Sequence, residues 1–276
     1  MFLLKGPAVD PGGAAPGVDP GGTARPPVGP GLRLYLTEPA RGLADLISLP
    51  LAAPLLAIAP RGDGHGVLVL PGLLASDMST APLRRFAGLL GFDVHGWDLG
   101  RNMGPTEAVI AGLPHALTAL VERTGGPVSI VGWSLGGIYA REMAREHPGQ
   151  VRQVITMGSP FARSDPRLSR AESVYQRRSH LHARNGRLPS RERVAEPIGV
   201  VSTAVYSRND GIVPWQNCVE PETALHQNIE VRCSHLGFGV DPATLWVIAD
   251  QLAAPPGELR PFRPPALLRP LYPGRR

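Results

Sequence analysis

Short runs rich in Val, Ile and Leu recur along the chain, separated by stretches whose apolar positions repeat every three to four residues. "GVLVL" from Gly66 reads as a short strand ending at Pro71-Gly72, and the pattern from Met78 to Leu90 reads as a helix. "FDVHGWD", Phe92 to Asp98, alternates as a strand should, and a helix is predicted from about Glu107 to Thr124. "VSIV" from Val128 is the next strand, followed by a helical pattern that ends near His147-Pro148. Val151 to Pro160, Ile198 to Ser207 and Asn228 to Ser234 are three more strands, and Pro242 to Leu252 is a last helix. Strands alternating with helices at this spacing predict a mostly parallel central sheet with helices on both faces. Near-continuous apolar strands fit that picture, because both of their faces are covered. In such sheets the working residues lie in the loops that leave the carboxyl ends of the strands.

The flanking segments read differently. Residues 1–31 are dense in Gly and Pro, with "DPGG" occurring twice, and are expected to form a disordered arm whose removal costs little. The segment from Leu43 to Ala59 is apolar but carries Asp45, Pro50 and Pro54, so it reads as a buried or amphipathic helical segment broken by prolines. Docking on a membrane surface is its minor reading. The tail after Pro255, rich in Pro and Arg, is expected to lie extended over the surface. Residues 32–276 are then one domain, a size that supports a single large core. The apolar run at Met1 to Lys5 is too short for a secretory signal, which predicts a cytoplasmic protein.

Charge and cysteine content change the picture little. Nine of the arginines fall between Phe161 and Ala195, against Asp165, Glu172 and Glu192, and account for the net positive charge of the chain. No aromatic residues alternate with them as a stacking platform for nucleic acid requires, so they read as a solvated surface. Cys218 and Cys233 show no metal-ligand spacing and are read as free thiols, with a disulfide between them left open.

The candidate chemistry centres on Gly132-Trp133-Ser134-Leu135-Gly136, a G-x-S-x-G run placed between a strand and a helix. The pentapeptide alone is a weak signal; its strand–turn–helix setting is what makes Ser134 a candidate nucleophile. A serine hydroxyl needs a base to take its proton and an acid to orient that base. Asp210 follows one later strand and His235 follows the next, giving the order Ser, Asp, His. Among eight histidines, His65, His115, His147 and His226 fall before strands, in helices or at a helix end, while His180 and His182 lie in the arginine-rich stretch. His95, inside a strand, reads as a packed residue, and Asp98 is the rival acid. The backbone N–H groups of Leu73 and Leu135 are the candidate oxyanion donors. Leu74, Met78, Trp133, Val213 and Trp215 are candidate substrate-pocket walls, each equally readable as core. Arg101 and Asn102 read as residues that tie their loop down.

Taken together, "VLVLPGLLASD", "FDVHGWDLGRNMGPT", "VGWSLGG", "VYSRNDGIVPW" and "CSHLGFG" resemble the α/β-hydrolase superfamily, more closely its bacterial esterase- and lipase-like members. The resemblance spans about Gly66 to Pro255. It implies an α/β-hydrolase fold with an eight-stranded type of sheet, a Ser134–His235–Asp210 triad, and no cofactor or metal. It also implies that residues 161–197 are a small cap insertion over the site. One departure is Pro71, which stands where lipase relatives with an HG stretch carry histidine. The expected activity is hydrolysis of a small carboxylic ester through an acyl-enzyme. Acyl transfer or thioester cleavage by the same residues, and a non-catalytic binding protein on the same fold, are the alternatives.

Overall fold

The computed structural model describes residues 28–162, 168–183 and 191–273. Helices and strands alternate along the chain: α1 (Leu32–Leu56), β1 (Gly66–Leu70), α2 (Asp77–Leu89), β2 (Asp93–Gly96), α3 (Glu107–Thr124), β3 (Val128–Trp133) and α4 (Leu135–Glu146). They continue as β4 (Val151–Met157), α5 (Glu172–Arg177), α6 (Arg191–Ala195), β5 (Val201–Ser207), β6 (His226–Val231) and α7 (Pro242–Leu252). All strand pairs are parallel, in the order β2-β1-β3-β4-β5-β6. The sheet therefore has six strands among the described residues, not the eight that the family resemblance implies.

Alternate strand residues feed two cores. Val67, Val69, Val131, Ile155, Val205 and Ile229 face α2 and α7 on one side. Leu68, Leu70, Ile130 and Val154 face α3 and α4 on the other. This two-sided burial is why β1, β3, β5 and β6 are covered along their whole length. Because every strand runs the same way, all six carboxyl ends open onto one face of the molecule.

Two segments depart from what their composition predicts. The apolar stretch near the start is one continuous helix of 25 residues that begins at Leu32 and runs through Pro39, Pro50 and Pro54. Around the Pro39 step, Thr37 Oγ1 donates to the carbonyl of Arg33 and Arg41 Nη2 to that of Leu34, so side chains bond backbone carbonyls beside the proline step. Leu36, Leu43, Ile47 and Leu51 remain exposed on this helix, yet no helix among the described residues is long and apolar enough to cross a membrane.

The tail after Pro255 is not extended over the surface; it docks. Phe262, Leu268 and Tyr272 are buried against the core, and the Tyr272 hydroxyl donates to the carbonyl of Ala243 at 2.9 Å. The few apolar side chains between its prolines supply the burial that average composition conceals. At the other end the expected arm falls largely on residues 1–27, outside the described residues. The packed chain starts ahead of Gly31, since Pro30 is buried and its carbonyl accepts from Arg170 at 3.2 Å.

The docked tail sets a stability expectation. Phe262→Ala removes a buried ring that meets Tyr272 edge-on at 4.9 Å between centroids, and should cost about 3–5 kcal/mol. Urea unfolding followed by circular dichroism measures it; a loss below about 1 kcal/mol would mean the tail is only loosely attached.

Candidate functional site

Ser134 sits at the carboxyl end of β3, where the strand turns straight into α4 with φ 53° and ψ −119°. A non-glycine residue in this region stores about 1–3 kcal/mol of strain, which the surroundings must hold. They do so through backbone: Ser134 N–H donates to Met157 O at 2.8 Å, and Gly137 N–H to Ser134 O at 3.0 Å. The glycines let helix and strands close up. A Cβ on Gly132 would lie 2.4 Å from the Cα of Gly137, and one on Gly136 would lie 2.4 Å from the carbonyl oxygen of Leu70. Ser134 is thereby raised at the end of the sheet and is 8% exposed.

Asp210 and His235 follow β5 and β6 and meet each other. His235 Nδ1 lies 2.6 Å from Asp210 Oδ2. A carboxylate only accepts hydrogen bonds, so Nδ1 carries a proton, and in the neutral ring Nε2 keeps its lone pair. The other carboxylate oxygen, Oδ1, accepts from Ile212 N–H at 2.8 Å and Val213 N–H at 2.7 Å. Burial works to lower the His235 pKa, but the charge and hydrogen bond of Asp210, with a further contribution from Glu38, outweigh it. The net shift is upward from 6.5. His235 is also tied to β3: the Trp133 indole N–H donates to His235 O at 3.2 Å. The rival acid Asp98 is exposed at φ 55°, with its N–H directed to Asp77, and does not take the histidine.

The loop after β1 lies against Ser134. A Cβ on Gly72 would sit 3.2 Å from the Ser134 Cβ. Leu73 follows, half-buried, and Leu74 takes φ 65° with its N–H donating to Asn102 O at 2.7 Å. Asn102 is fully buried and donates from Nδ2 to Pro71 O at 2.8 Å, while its own N–H donates to Ala75 O. It ties the loop after β2 to the loop after β1; Arg101 beside it is exposed. Leu135, the first residue of α4, belongs to the turn whose N–H groups lack helical acceptors.

Of the candidate pocket walls, Trp133 adjoins Ser134 in the chain, Leu74 lies half-buried two residues beyond Gly72, whose Cβ would meet Ser134, and Met78 is 80% exposed at the start of α2. Val213 is different: it has no exposed surface and packs with Tyr206 and Cys218. Trp215 stacks on Tyr206 at 5.6 Å and under the Arg208 guanidinium at 4.1 Å. Both belong to a small cluster behind the Asp210 loop, where core packing explains them. Cys218 and Cys233 are buried free thiols, and burial pushes both pKa values up. Among the described residues no cluster of His, Cys, Asp and Glu is arranged to hold a metal ion.

Part of the arginine-rich insertion is described. Arg170 N–H donates to Ile212 O and Ala183 N–H to Pro105 O, so residues 168–183 run between the loops after β5 and β2. Arg163, Arg167, Arg184 and Arg187 lie outside the described residues.

A second serine–histidine–aspartate array lies at the opposite end of the sheet. His65 Nε2 is 2.8 Å from Ser129 Oγ and its Nδ1 is 2.5 Å from Asp63 Oδ1, beside a cavity of about 430 Å³. Ser129 lies within β3, wholly buried, and no substrate carbon can reach its oxygen. Composition of a triad is therefore not enough; the strained turn and the strand end separate Ser134 from Ser129.

The residues that sequence reasoning missed lie on α1. Glu38, buried, accepts from the backbone of both the Asp210 and the His235 loops, and Asp45 accepts from Ser234. The available signal was a stripe of Glu38, Arg41, Gly42 and Asp45 along one face of an otherwise apolar helix.

No family model matches the chain. It is 30% identical over 104 residues to a pimeloyl-[acyl-carrier protein] methyl ester esterase of Shewanella woodyi, a stretch covering 38% of this chain and 40% of that protein. The chain thus matches about two-fifths of the length of that curated relative. Among solved structures it is similar to Aspergillus fumigatus lipase B, at a TM-score of 0.51 and 17% identity over 70% of this chain and 54% of that one. A structure from work on the metagenome-derived lipolytic enzymes LipS and LipT aligns at a TM-score of 0.49 and 16% identity over 71% of this chain and 95% of that one. With its parallel sheet, its covering helices and its sharp strand-to-helix turn at Ser134, the chain has the α/β-hydrolase fold.

Proposed function

We propose that the chain is a serine hydrolase that cleaves small carboxylic esters through an acyl-enzyme on Ser134. One observation carries the reading. His235, bonded to Asp210, has its carbonyl held by Trp133, the residue next to Ser134, so groups from three separate strand ends converge. The pimeloyl ester esterase and lipase named above add weight on the side of ester chemistry.

In this reading the neutral Nε2 of His235 takes the Ser134 proton as Oγ attacks the ester carbonyl. Asp210 holds the ring in the right tautomer and stabilises the imidazolium that forms. The imidazolium then gives its proton to the departing alkoxide, and water attacks the acyl-enzyme with the same base. The negative oxygen of the tetrahedral intermediate is assigned to the Leu135 and Leu73 N–H groups. Leu74 and Ala75 direct theirs to Asn102 O and Gly72 O, so the assignment in this loop falls on Leu73. One such donor is worth about 3 kcal/mol of barrier. Leu74, Met78 and Trp133 are assigned to the apolar wall of the pocket, and residues 168–183, spanning two strand-end loops, to a small cap.

The deciding experiment is fluorophosphonate labelling of wild type and Ser134→Ala, with p-nitrophenyl ester hydrolysis in parallel. Labelling and turnover are expected in the wild type and lost in the variant. A folded wild type that does neither would overturn the reading in favour of a non-catalytic protein.

The pH profile is a second test. A base works only when unprotonated, and the His235 pKa is shifted upward from 6.5. The acid limb of kcat/KM should therefore have its midpoint above pH 6.5, with activity rising through it to a plateau. A midpoint well below that value would contradict the Asp210–His235 pairing.

A third concerns the oxyanion loop. Asn102→Ala leaves the Pro71 carbonyl without its donor, and should cost about 1–3 kcal/mol of stability. It should also lower kcat more than it raises KM, because the loop that carries Leu73 is released. Thermal melts and steady-state kinetics measure the two effects.

A further inference from the structure

Helix α1 grips both loops that bear the acid and the base. Three successive N–H groups of the base loop donate to its carboxylates: Ser234 to Asp45 Oδ2 at 3.1 Å, His235 to Glu38 Oε1 at 3.1 Å and Leu236 to Glu38 Oε2 at 3.1 Å. The Ser234 hydroxyl adds a bond to Asp45 Oδ2 at 2.6 Å. On the acid loop, the residues on each side of Asp210 are held. Gly211 N–H donates to Glu38 Oε1 at 2.7 Å, and Arg41 Nη1 donates to Asn209 O at 2.7 Å. Arg41 Nη2 closes the set by donating to Glu38 Oε1 at 2.8 Å.

Glu38 is 2% exposed, and a carboxylate removed from water is costly unless donors surround it. Here all the donors but one are backbone groups of the two loops, so satisfying the carboxylate and fixing the loops are a single event. The fit is tight. A Cβ on Gly211 would lie 2.5 Å from Leu34 O, and one on Gly237 would lie 1.8 Å from Asp45 Oδ2.

We propose that Glu38, braced by Arg41, is a positioning residue for catalysis: one buried carboxylate bonds the backbone at His235 and next to Asp210, and so sets the register of base against acid. The inference rests on the reading of Ser134, Asp210 and His235 given above. Glu38 touches no substrate and acts through the loops. The charged groups around His235 are Asp210 from the loop after β5 and Glu38, Arg41 and Asp45 from α1, with Asp241 capping α7 beyond. The rings of Trp133 and Phe238 complete the surroundings.

The test compares Glu38→Gln and Arg41→Gln with wild type and with Leu49→Ala. Leu49 packs on the core from the same helix, one turn beyond Asp45, and its truncation loosens α1 while leaving the Glu38, Arg41 and Asp45 side chains in place. The readouts are the rate of fluorophosphonate labelling, kcat and KM for a p-nitrophenyl ester, and the acid limb of kcat/KM. In Glu38→Gln, kcat should fall about 10- to 100-fold with KM nearly unchanged, since misalignment at the reacting groups costs that order of rate. The acid limb should also move to lower pH, because the Glu38 charge raises the His235 pKa. Arg41→Gln, at a side chain 28% exposed, should slow labelling in the same direction while keeping the fold. Leu49→Ala should lower Tm and leave both the limb and kcat in place. Glu38→Gln and Arg41→Gln proteins that label at the wild-type rate, with an unmoved acid limb, would overturn the positioning role while leaving the base assignment intact. If Glu38→Gln does not fold, Arg41→Gln alone decides by the same rate. A wild type that never labels removes the base reading and this inference together.

Discussion

How closely α4 approaches the sheet governs the rest of the molecule's working end. Backbone meets backbone where Gly132 faces Gly137 and where Gly136 faces Leu70, at distances no side chain would permit. That closeness forces the one residue between strand and helix into positive φ and leaves its hydroxyl at the strand end. The strain is stable because the surrounding sheet is buried on both faces and cannot relax around it. A looser helix would give an ordinary turn and an ordinary serine.

The loops that carry Asp210 and His235 have no comparable local constraint. Their residues leave β5 and β6 at the same level, but two parallel strands fix only where loops begin. What fixes their path is polar: Asp210 Oδ1 binds its own loop through Ile212 and Val213, Ser207 Oγ donates to Cys233 O, and α1 holds both from outside. Steric constraint places Ser134, and hydrogen-bond satisfaction places Asp210 and His235.

That division explains what could be read from the sequence. Ser134 was legible because tight backbone packing demands glycine at fixed spacings, and the demand is written in five adjacent letters. Asp210 and His235 were legible as positions, each just past an apolar run. Glu38 was not, because its partners are backbone N–H groups 173 to 198 residues away, and a backbone donor has no residue signature. The prolines of α1 misled in the same way: propensity marks them as breaks, while the docked helix tolerates them. The tail misled through averaging, since Phe262, Leu268 and Tyr272 are few among many prolines and arginines yet are the residues that matter. For Val213 and Trp215, readable from the sequence equally as pocket or core, the structure shows packing with Tyr206.

The span between Glu38 and the base loop has a kinetic corollary. The last bonds of the site join the first helix of the described chain to its last strand-end loop. Chain emerging in order can assemble β1 through β4 and the Ser134 turn before β6 exists, whereas α1 must wait unsatisfied for its partners. Contacts of such high sequence separation close late, after most loop entropy has been lost. A chain with α1 cleaved away would then keep the sheet and the Ser134 turn while losing the bonds that hold the Asp210 and His235 loops. Alignment of the two loops is then a late step of assembly.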